Sequence, residues 1–299
     1  MSSSHTQISS TGTAQASHYG RPLAIEEASN RFFIHPLSDL VVKLGVALKL
    51  SPNMVSLGGL LCGGAAAYFY SHLPQTDLMI AGFACMLGWH ILDGADGRLA
   101  RLTGQTSAFG RIIDGICDHL VFGAVYIVLG LKLVEAGDPQ SIWLLIVAAA
   151  LSHAVQAAGY EERRQKYQRR MRGQDRADTQ SKLLVVDGKR SFWAMFYEGM
   201  QRIVSGGQTG LSQHLSNLRA SGSDGADQAE ALVSKTALMV RAWGLLNANN
   251  RTFLIFVFAL LGQPLYYFVL EVIGFNLLLL VLIAAESHQE RALIKQIAA

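Results

Sequence analysis

The sequence predicts an all-α polytopic membrane protein with six transmembrane helices and an N-terminal interfacial amphipathic helix. Hydrophobic residues make up 51% of the 299 residues and charged residues only 16%, a balance typical of membrane proteins. Long apolar runs separated by polar turns recur along the chain, which indicates repeated membrane crossings. The formal net charge of +3 indicates no extended basic surface, so we expect no nucleic-acid partner.

The N-terminal 50 residues divide into two parts. Residues 1–21 are polar and rich in Ser and Thr, and we expect a disordered tail. They contain no apolar core of a signal peptide, so we expect none to be cleaved. In residues 22–50, apolar side chains recur at helical spacing between charged ones, which predicts an amphipathic helix lying on the membrane surface.

Six apolar segments follow and each is assigned one membrane span. They lie at about 53–71, 78–92, 112–134, 141–159, 252–270 and 272–285, so spans 1–4 fall within 51–172 and spans 5–6 within 249–299. Several are shorter than the ~20 residues of a full span, but each extends into its flanks. With a cytoplasmic N-terminus, the outer loops 71–77, 131–140 and 271–276 contain Lys132 as their only Lys or Arg. This asymmetry predicts cytoplasmic termini, and we expect a bacterial inner-membrane location.

Residues 173–248 form an unusually long polar connection between spans four and five. Within it, 183–205 is predicted to be a packed or interfacial helix, 206–228 a flexible segment and 229–246 an amphipathic helix. The sequence leaves the role of this connection open among acceptor selection, membrane attachment and partner contact.

The chemistry is concentrated in residues 93–118, DGADGRLARLTGQTSAFGRIIDGICD. Asp93 and Asp96 share one face of a helix, Asp114 and Asp118 share a face of the next, and 102–109 is predicted to be the turn. Converging carboxylates repel one another unless cations intervene, and hard divalent cations prefer oxygen ligands. An arginine on the same face suits a phosphate group. The stretch therefore predicts displacement at phosphorus.

These residues match D-x-x-D-G-x-x-A-R-x8-G-x-x-x-D-x-x-x-D at every fixed position, and the pattern resembles the signature of the CDP-alcohol phosphatidyltransferase family. The resemblance implies two divalent ions, Mg²⁺ or Mn²⁺, held by the four aspartates. It implies that Asp118 is also the general base for the acceptor hydroxyl. It further implies a substrate site that contains Gly97, Ala100, Arg101, Gly110 and Asn53. Arg101 would bind phosphate, whereas Asn53 is explained equally well as a helix cap.

The same resemblance implies a function in phospholipid biosynthesis. A phosphatidyl group would pass from CDP-diacylglycerol, the CDP-linked lipid donor, to a polar alcohol acceptor, and CMP would be released. The resemblance also implies that the enzyme is a homodimer in contact with membrane lipids. One alternative is transfer of phosphocholine or phosphoethanolamine from a CDP-alcohol to a diacylglycerol-type lipid. A second is a non-catalytic scaffold or transporter. The acceptor stays open among inositol, inositol phosphate, serine, glycerol phosphate, choline and a second lipid.

Other polar residues near the motif have simpler explanations. His90 and His119 flank the motif, but each is interpreted as a hydrogen-bonded structural histidine. Three cysteines lie in apolar runs without metal-ligand spacing and are interpreted as small buried hydrophobes. The basic run 163–172 is interpreted mainly as a membrane anchor, with attraction of anionic lipid or a phosphorylated acceptor as the alternative.

Overall fold

The computed structural model describes residues 22–106, 108–174, 185–186, 189–190 and 210–298, with side chains left undescribed for 108–116, 185–186 and 189–190. The predicted tail 1–21 and nearly all of the predicted helix 183–205 lie outside these residues. Within them every regular element longer than one residue is helical apart from one antiparallel pair, in which strand β1 (Val185–Val186) faces strand β2 (Lys189–Arg190). The all-helical class is thus confirmed in its main feature.

The described helices fall into an N-terminal set and a C-terminal set. After a 3₁₀ turn (Leu23–Ile25) and a π turn (Asn30–Ile34), the first set is α1 His35–Ala47, α2 Pro52–Tyr70, α3 Thr76–Leu102, α4 Ala108–Glu135 and α5 Ile142–Arg172. The second set is α6 Leu211–Ala220, α7 Ser223–Ser234, α8 Ala237–Trp243, a 3₁₀ turn Gly244–Leu246, α9 Ala248–Leu260, α10 Pro264–Val269, a π turn Leu270–Gly274 and α11 Phe275–Ala298.

Four helical stretches of the described chain are long and apolar enough to cross a membrane. They are Thr76–Leu102, Cys117–Glu135, Ile142–Arg172 and Pro264–Ala298. Helix α2 has the length of a span at 19 residues but is rich in Gly and Ala, and α9 has only 13 residues. The chain is therefore of the membrane-protein type, while the count of six spans stays a prediction.

The main apolar core lies where α2, α3, α4, α5 and the α9–α10 hairpin meet. Tyr70, Met86, Tyr126 and Phe268 are among its fully buried side chains. Close approach of α2 to α4 depends on Gly63, because a Cβ at this position would lie 2.3 Å from Cγ2 of Val121. Small residues in α2 thus bring two helices together, as is common between membrane helices.

The predicted boundary between the last two spans is wrong. The turn lies at 261–263, where Gly262 has φ +67° and Pro264 begins α10, whereas the predicted loop 271–276 is continuous helix. Glu271 is the one charged residue in the predicted loop. In the structure this carboxylate is fully buried and bonded to Arg251, so the helix continues through it. The new turn contains no Lys or Arg, so the charge asymmetry is unchanged.

Arg251 and Glu271 lie in a buried polar cluster that joins α5, α9 and the π turn. Nε of Arg251 is 3.2 Å from both carboxylate oxygens of Glu271, and its Nη2 donates to Gln156. The hydroxyl of Tyr267 donates to Glu271 at 3.1 Å and lies 2.6 Å from the hydroxyl of Tyr126. Buried charges persist only when paired and hydrogen-bonded, and both conditions hold here.

The connection 173–248 ends in a compact helical unit, here called the cap, formed by α6, α7 and α8. The expectation of flexibility is wrong for 211–220 and 223–228, which are helical. Leu215 of α6 and Val233 of α7 pack against Tyr167 of α5 and Leu293 of α11. The sequence concealed this packing because Gly, Ser and Asp predominate while the few apolar residues each fall on one helix face.

Candidate active site

The acidic stretch forms the predicted helical hairpin. Helix α3 ends at Leu102 and α4 begins at Ala108, so the turn falls within the predicted 102–109. Gly104 in this turn has φ +70°, a left-handed conformation that favours glycine. Asp93 and Asp96 therefore lie on one arm, and Asp114 and Asp118 lie on the other.

A narrow cleft lies between α2, α3 and α4 at the base of this hairpin. Asp93 and Asp96 line it from α3, together with Trp89. The remaining lining residues are Ser56 and Gly59 from α2 and Cys117 from α4. The two aspartates of the first predicted pair thus face one shared space, which the second arm of the hairpin also borders.

Asp96 is the more enclosed of the two carboxylates, with 5% of the residue exposed. The hydroxyl of Ser56 donates a hydrogen bond of 2.5 Å to Oδ2 of Asp96. A hydrogen bond to a carboxylate is stronger than one between neutral groups and fixes the carboxylate orientation. Ser56 was not among the predicted site residues. A hydroxyl among the small residues of α2, one turn after Asn53, was the available signal.

The rest of the α3 face lies beyond the cleft towards the turn. Gly97 and Ala100 are half-buried, whereas Arg101 is exposed. Nη1 of Arg101 would lie 3.6 Å from a Cβ at position 97, so the guanidinium group sits beside the glycine and is attracted to Asp96. The buried carboxylate of Asp96 is thus adjoined by the guanidinium group of Arg101 and by Gly97, which has no side chain to fill the space.

The second half of the motif is described only in part. Asp118 is half-buried and directly follows Cys117, which lines the cleft. Gly110 and Asp114 are on α4, in the stretch whose side chains are not described. Their predicted contacts therefore fall outside the described part of the structure. Among the side chains that the structure describes, no three of His, Cys, Asp or Glu form a metal-binding group. Asp93 and Asp96 still fit a hard divalent cation in ligand type, because both present carboxylate oxygens to one cleft.

Asn53 is exposed near the start of α2 and is not among the residues that line the cleft. It is not the N-cap either, since Ser51 precedes α2 and its side chain accepts a hydrogen bond from the backbone N–H of Met54 at 3.3 Å. His90 is buried, and its Nε2 lies 2.9 Å from the hydroxyl of Thr252 on α9. His90 is thus a hydrogen-bonded structural residue, as predicted.

The basic run 163–172 is largely neutralised by carboxylates. Glu286 and Glu290 of α11 bind cations of α5, with Arg163 2.8 Å from Glu286 and Arg170 2.6 Å from Glu290. Lys166 contacts both glutamates. Two further pairs lie within α5, Arg164 with Glu161 at 2.6 Å and Arg169 with Glu162 at 3.0 Å. This pairing weakens the idea that the run attracts a phosphorylated acceptor, because five of its six Lys and Arg side chains already contact a carboxylate.

The fold and site together define a helical membrane-type protein with an acidic cleft at a helical hairpin. Residues 49–186, which contain α2 to α5 and the whole acidic stretch, match the family model described as CDP-alcohol phosphatidyltransferase. This part of the chain is thus similar to the CDP-alcohol phosphatidyltransferase family, which confirms the resemblance that the motif predicted. The matched part is less than half of the chain, and it excludes α1, the cap and helices α9 to α11.

Curated relatives are similar over parts of their length. A phosphatidylinositol phosphate synthase of Corynebacterium glutamicum is 33% identical over 37% of this chain and 48% of its own length. A bifunctional IPC transferase and DIPP synthase of Thermococcus kodakarensis is 30% identical over 45% of this chain and 28% of its own. A CDP-diacylglycerol–serine O-phosphatidyltransferase of Helicobacter pylori is 34% identical over 25% of this chain and 30% of its own. The chain thus spans less than half the length of each of these relatives, and no solved structure matches it.

Proposed function

We propose that this protein transfers a phosphatidyl group from CDP-diacylglycerol to a polar alcohol and releases CMP. The observation that carries the proposal is the cleft lined by Asp93 and Asp96 within the segment that matches the family. The name of one relative, a CDP-diacylglycerol–serine O-phosphatidyltransferase, supports this donor over a CDP-alcohol.

The proposed reaction is one displacement at the phosphorus that carries the diacylglycerol unit. The acceptor oxygen forms a bond to this phosphorus, and the bond between the phosphorus and the bridging oxygen of CMP breaks. Asp118 accepts the hydroxyl proton, and CMP leaves with the bonding electron pair. A carboxylate serves as base when the hydroxyl is held within hydrogen-bond reach. Arg101 lies exposed beside the acidic face, where its guanidinium group binds a donor phosphate.

Asp93, Asp96 and Asp114 would hold divalent metal, Mg²⁺ or Mn²⁺, and Asp118 would contact it as well. The metal, when bound, neutralises negative charge on the pyrophosphate oxygens. Ser56 orients Asp96 through its hydrogen bond. Gly97, Ala100 and Gly110 leave space beside the acidic face for the nucleotide, and Asn53 is assigned to the substrate site by the family resemblance alone.

The test is CMP release by purified protein in nanodiscs with CDP-diacylglycerol, Mn²⁺ or Mg²⁺ and one acceptor at a time. We expect release that depends on metal and on one acceptor among serine, inositol, inositol phosphate and glycerol phosphate. Asp118→Asn should lower turnover by about 10²–10⁴-fold while preserving donor binding, which is the range for loss of a general base. Asp93→Asn should weaken both turnover and donor binding. Near-normal turnover of Asp118→Asn would refute the base assignment.

The same assay separates the alternatives. CMP release only from CDP-choline or CDP-ethanolamine with diacylglycerol would replace the proposed donor. Failure to bind any CDP-linked donor would favour a non-catalytic scaffold. A control variant is Lys132→Met, because Lys132 pairs with Glu135 at the opposite end of α4 from Asp118. We expect this variant to retain full turnover.

The proposed setting is a bacterial inner membrane, with both termini and the acidic cleft on the cytoplasmic side and a homodimer as the working unit. The positive-inside distribution supports this orientation. Three large apolar side chains in and beside α1 are exposed: Phe32 before the helix, Leu44 within it and Leu48 after it. Their exposure supports contact of this segment with the membrane surface. Accessibility of introduced cysteines from each side of the membrane tests the orientation.

A further inference from the structure

Helix α3 carries two faces on the same turns. Asp93, Asp96, Gly97, Ala100 and Arg101 form the acidic face. The intervening positions 91, 94, 95, 98 and 99 follow the same i, i+3, i+4, i+7, i+8 spacing and form a second face. On a helix with 100° per residue this second face lies on the other side from the acidic one. It packs against α1, which lies outside the segment that matches the family.

The contact between α1 and α3 begins with a hydroxyl on a backbone. The Ser38 hydroxyl is fully buried and lies 2.8 Å from the carbonyl oxygen of Ile91 on α3, as well as 2.8 Å from that of Ile34. Gly94 makes this approach possible, because a Cβ at position 94 would lie 2.9 Å from Oγ of Ser38. The acidic pattern does not specify position 94, and its glycine here permits the contact with α1.

An ion pair continues the contact one turn later. Nη1 of Arg98 lies 2.5 Å from Oδ1 of Asp39, with 11% and 30% of the two side chains exposed. The same nitrogen donates to the carbonyl oxygen of His35 at 3.4 Å. The pattern does not specify position 98 either. The guanidinium group of Arg98, which lies between motif residues 97 and 100, is thus bound by two groups of α1.

Apolar packing completes the interface. Ala95 and Leu99 are buried together with Val42 of α1 and Val55 of α2. Gly45 of α1 lies against Leu99, since a Cβ at position 45 would be 3.1 Å from Cδ2 of that leucine. The end of α3 that carries the acidic face is therefore held by α2 on one flank and by α1 behind.

We propose that Ser38, Asp39 and Arg98 are positioning residues, which hold the α3 arm so that Asp93 and Asp96 face the α4 arm at the distance a shared divalent cation requires. The proposal rests on the proposed function for the role of these aspartates. Its physical basis is that a bound cation tolerates small displacements of its ligands poorly, and that groups supporting metal ligands commonly change affinity or activity by about 10–100-fold when removed. Ser38 acts on the α3 backbone, and the ion pair fixes the helix one turn further.

The first test measures Mn²⁺ binding by electron paramagnetic resonance at a temperature well below unfolding, without substrate. Arg98→Met should raise the Mn²⁺ dissociation constant of the folded protein by about tenfold, the lower end of the range for such supporting groups. Arg98→Lys keeps a cation opposite Asp39 and should stay within about threefold of the unchanged protein. Lys132→Met removes an ion pair at the far end of α4 and should leave the constant unchanged.

Two combinations separate positioning from general loss of stability. Asp39→Asn combined with Arg98→Met should be no worse than Arg98→Met alone, because the two residues act as one pair. Gly94→Ala should weaken Mn²⁺ binding, and Ser38→Ala in the same protein should restore part of it, because the added methyl group meets Oγ of Ser38. A purely structural role would lower the unfolding temperature and leave the dissociation constant of the folded protein unchanged.

The outcomes distinguish this inference from the proposed function. Mn²⁺ binding that weakens in Arg98→Met supports the inference even if no acceptor yields CMP, a result that would overturn only the proposed reaction. Unchanged Mn²⁺ affinity in Arg98→Met and Gly94→Ala, with CMP release intact, would overturn the inference and leave the function standing. Absence of Mn²⁺ binding by the unchanged protein would overturn the inference, and CMP release would then decide the proposed function separately.

Discussion

Adjacent glycines in α2 provide a test of how closely the helices must pack. Gly63 is buried against α4, where a Cβ would lie 2.3, 2.7 and 3.0 Å from three side-chain carbons of Val121. Gly64 has no heavy atom within 4 Å of its Cβ position. Val121 is β-branched and held near one rotamer in a helix, so it cannot turn away from an added methyl group. Gly63→Ala must therefore separate α2 from α4, whereas Gly64→Ala places its methyl group in open space.

The magnitude follows from comparing the two variants. Each gains the same preference of alanine over glycine in a helix, about 1 kcal/mol. Gly63→Ala alone incurs the cost of overpacking, about 1–3 kcal/mol. The difference between the variants is thus about 1–3 kcal/mol, which corresponds to roughly 2–12 °C in unfolding temperature at the 2–4 °C per kcal/mol typical of 150–250-residue proteins. Tryptophan fluorescence during heating in detergent at one scan rate measures it.

The same displacement should reach the cleft. Gly59 and Cys117 line the cleft and lie one turn before Gly63 and Val121 on their helices. Gly63→Ala should therefore also lower CMP release at temperatures where the protein is folded. Val121→Ala in the Gly63→Ala protein should recover stability by removing the carbons that clash. An unfolding temperature for Gly63→Ala equal to or above that of Gly64→Ala would refute the packing argument.

Two further predictions concern buried hydrogen bonds. Arg251→Met leaves the buried carboxylate of Glu271 without its cation, so we expect the free energy of unfolding to fall by about 3–5 kcal/mol. The double variant Arg251→Met with Glu271→Leu should lose less, because the unpaired carboxylate is gone as well. Thermal unfolding of both proteins measures the difference, and an equal or larger loss in the double variant would contradict the prediction. Ser56→Ala removes the hydrogen bond to Asp96 and should raise the Mn²⁺ activation constant by about tenfold. Ser56→Thr keeps a hydroxyl and should retain most of the affinity for Mn²⁺. CMP release titrated with Mn²⁺ measures both activation constants, and identical constants for the two variants would show that the hydroxyl is dispensable.

The acidic hairpin was predictable because its signal is local. The spacing of four aspartates, the turn residues between them and the fixed positions of the pattern all lie within 26 consecutive residues. The structure confirmed the two helices and the turn, and the family match confirmed the resemblance. Roles of the individual residues stay predictions, because each depends on bound substrate and metal.

The contacts of these residues were not predictable in the same way. Ser56 meets Asp96 across 40 positions of sequence, and Asp39 meets Arg98 across 59. No periodicity links such partners, because which faces of α1, α2 and α3 meet depends on how whole helices pack. A hydroxyl or an ion pair then gains its meaning from the neighbour that packing supplies.

By itself, the sequence determined the helical membrane-type class and the acidic hairpin, because hydrophobic runs and residue spacing act over a few turns. Tertiary structure alone decided that Glu271 lies inside a continuous helix, since Arg251 stabilises it from another segment. It also decided that three cations of the basic run on α5 pair with glutamates of α11, and that 211–243 forms the packed cap. The physical reason is the same in each case. The free energy of burying a charged or small residue depends on the group that it contacts in the folded protein, and that group lies far away in the sequence.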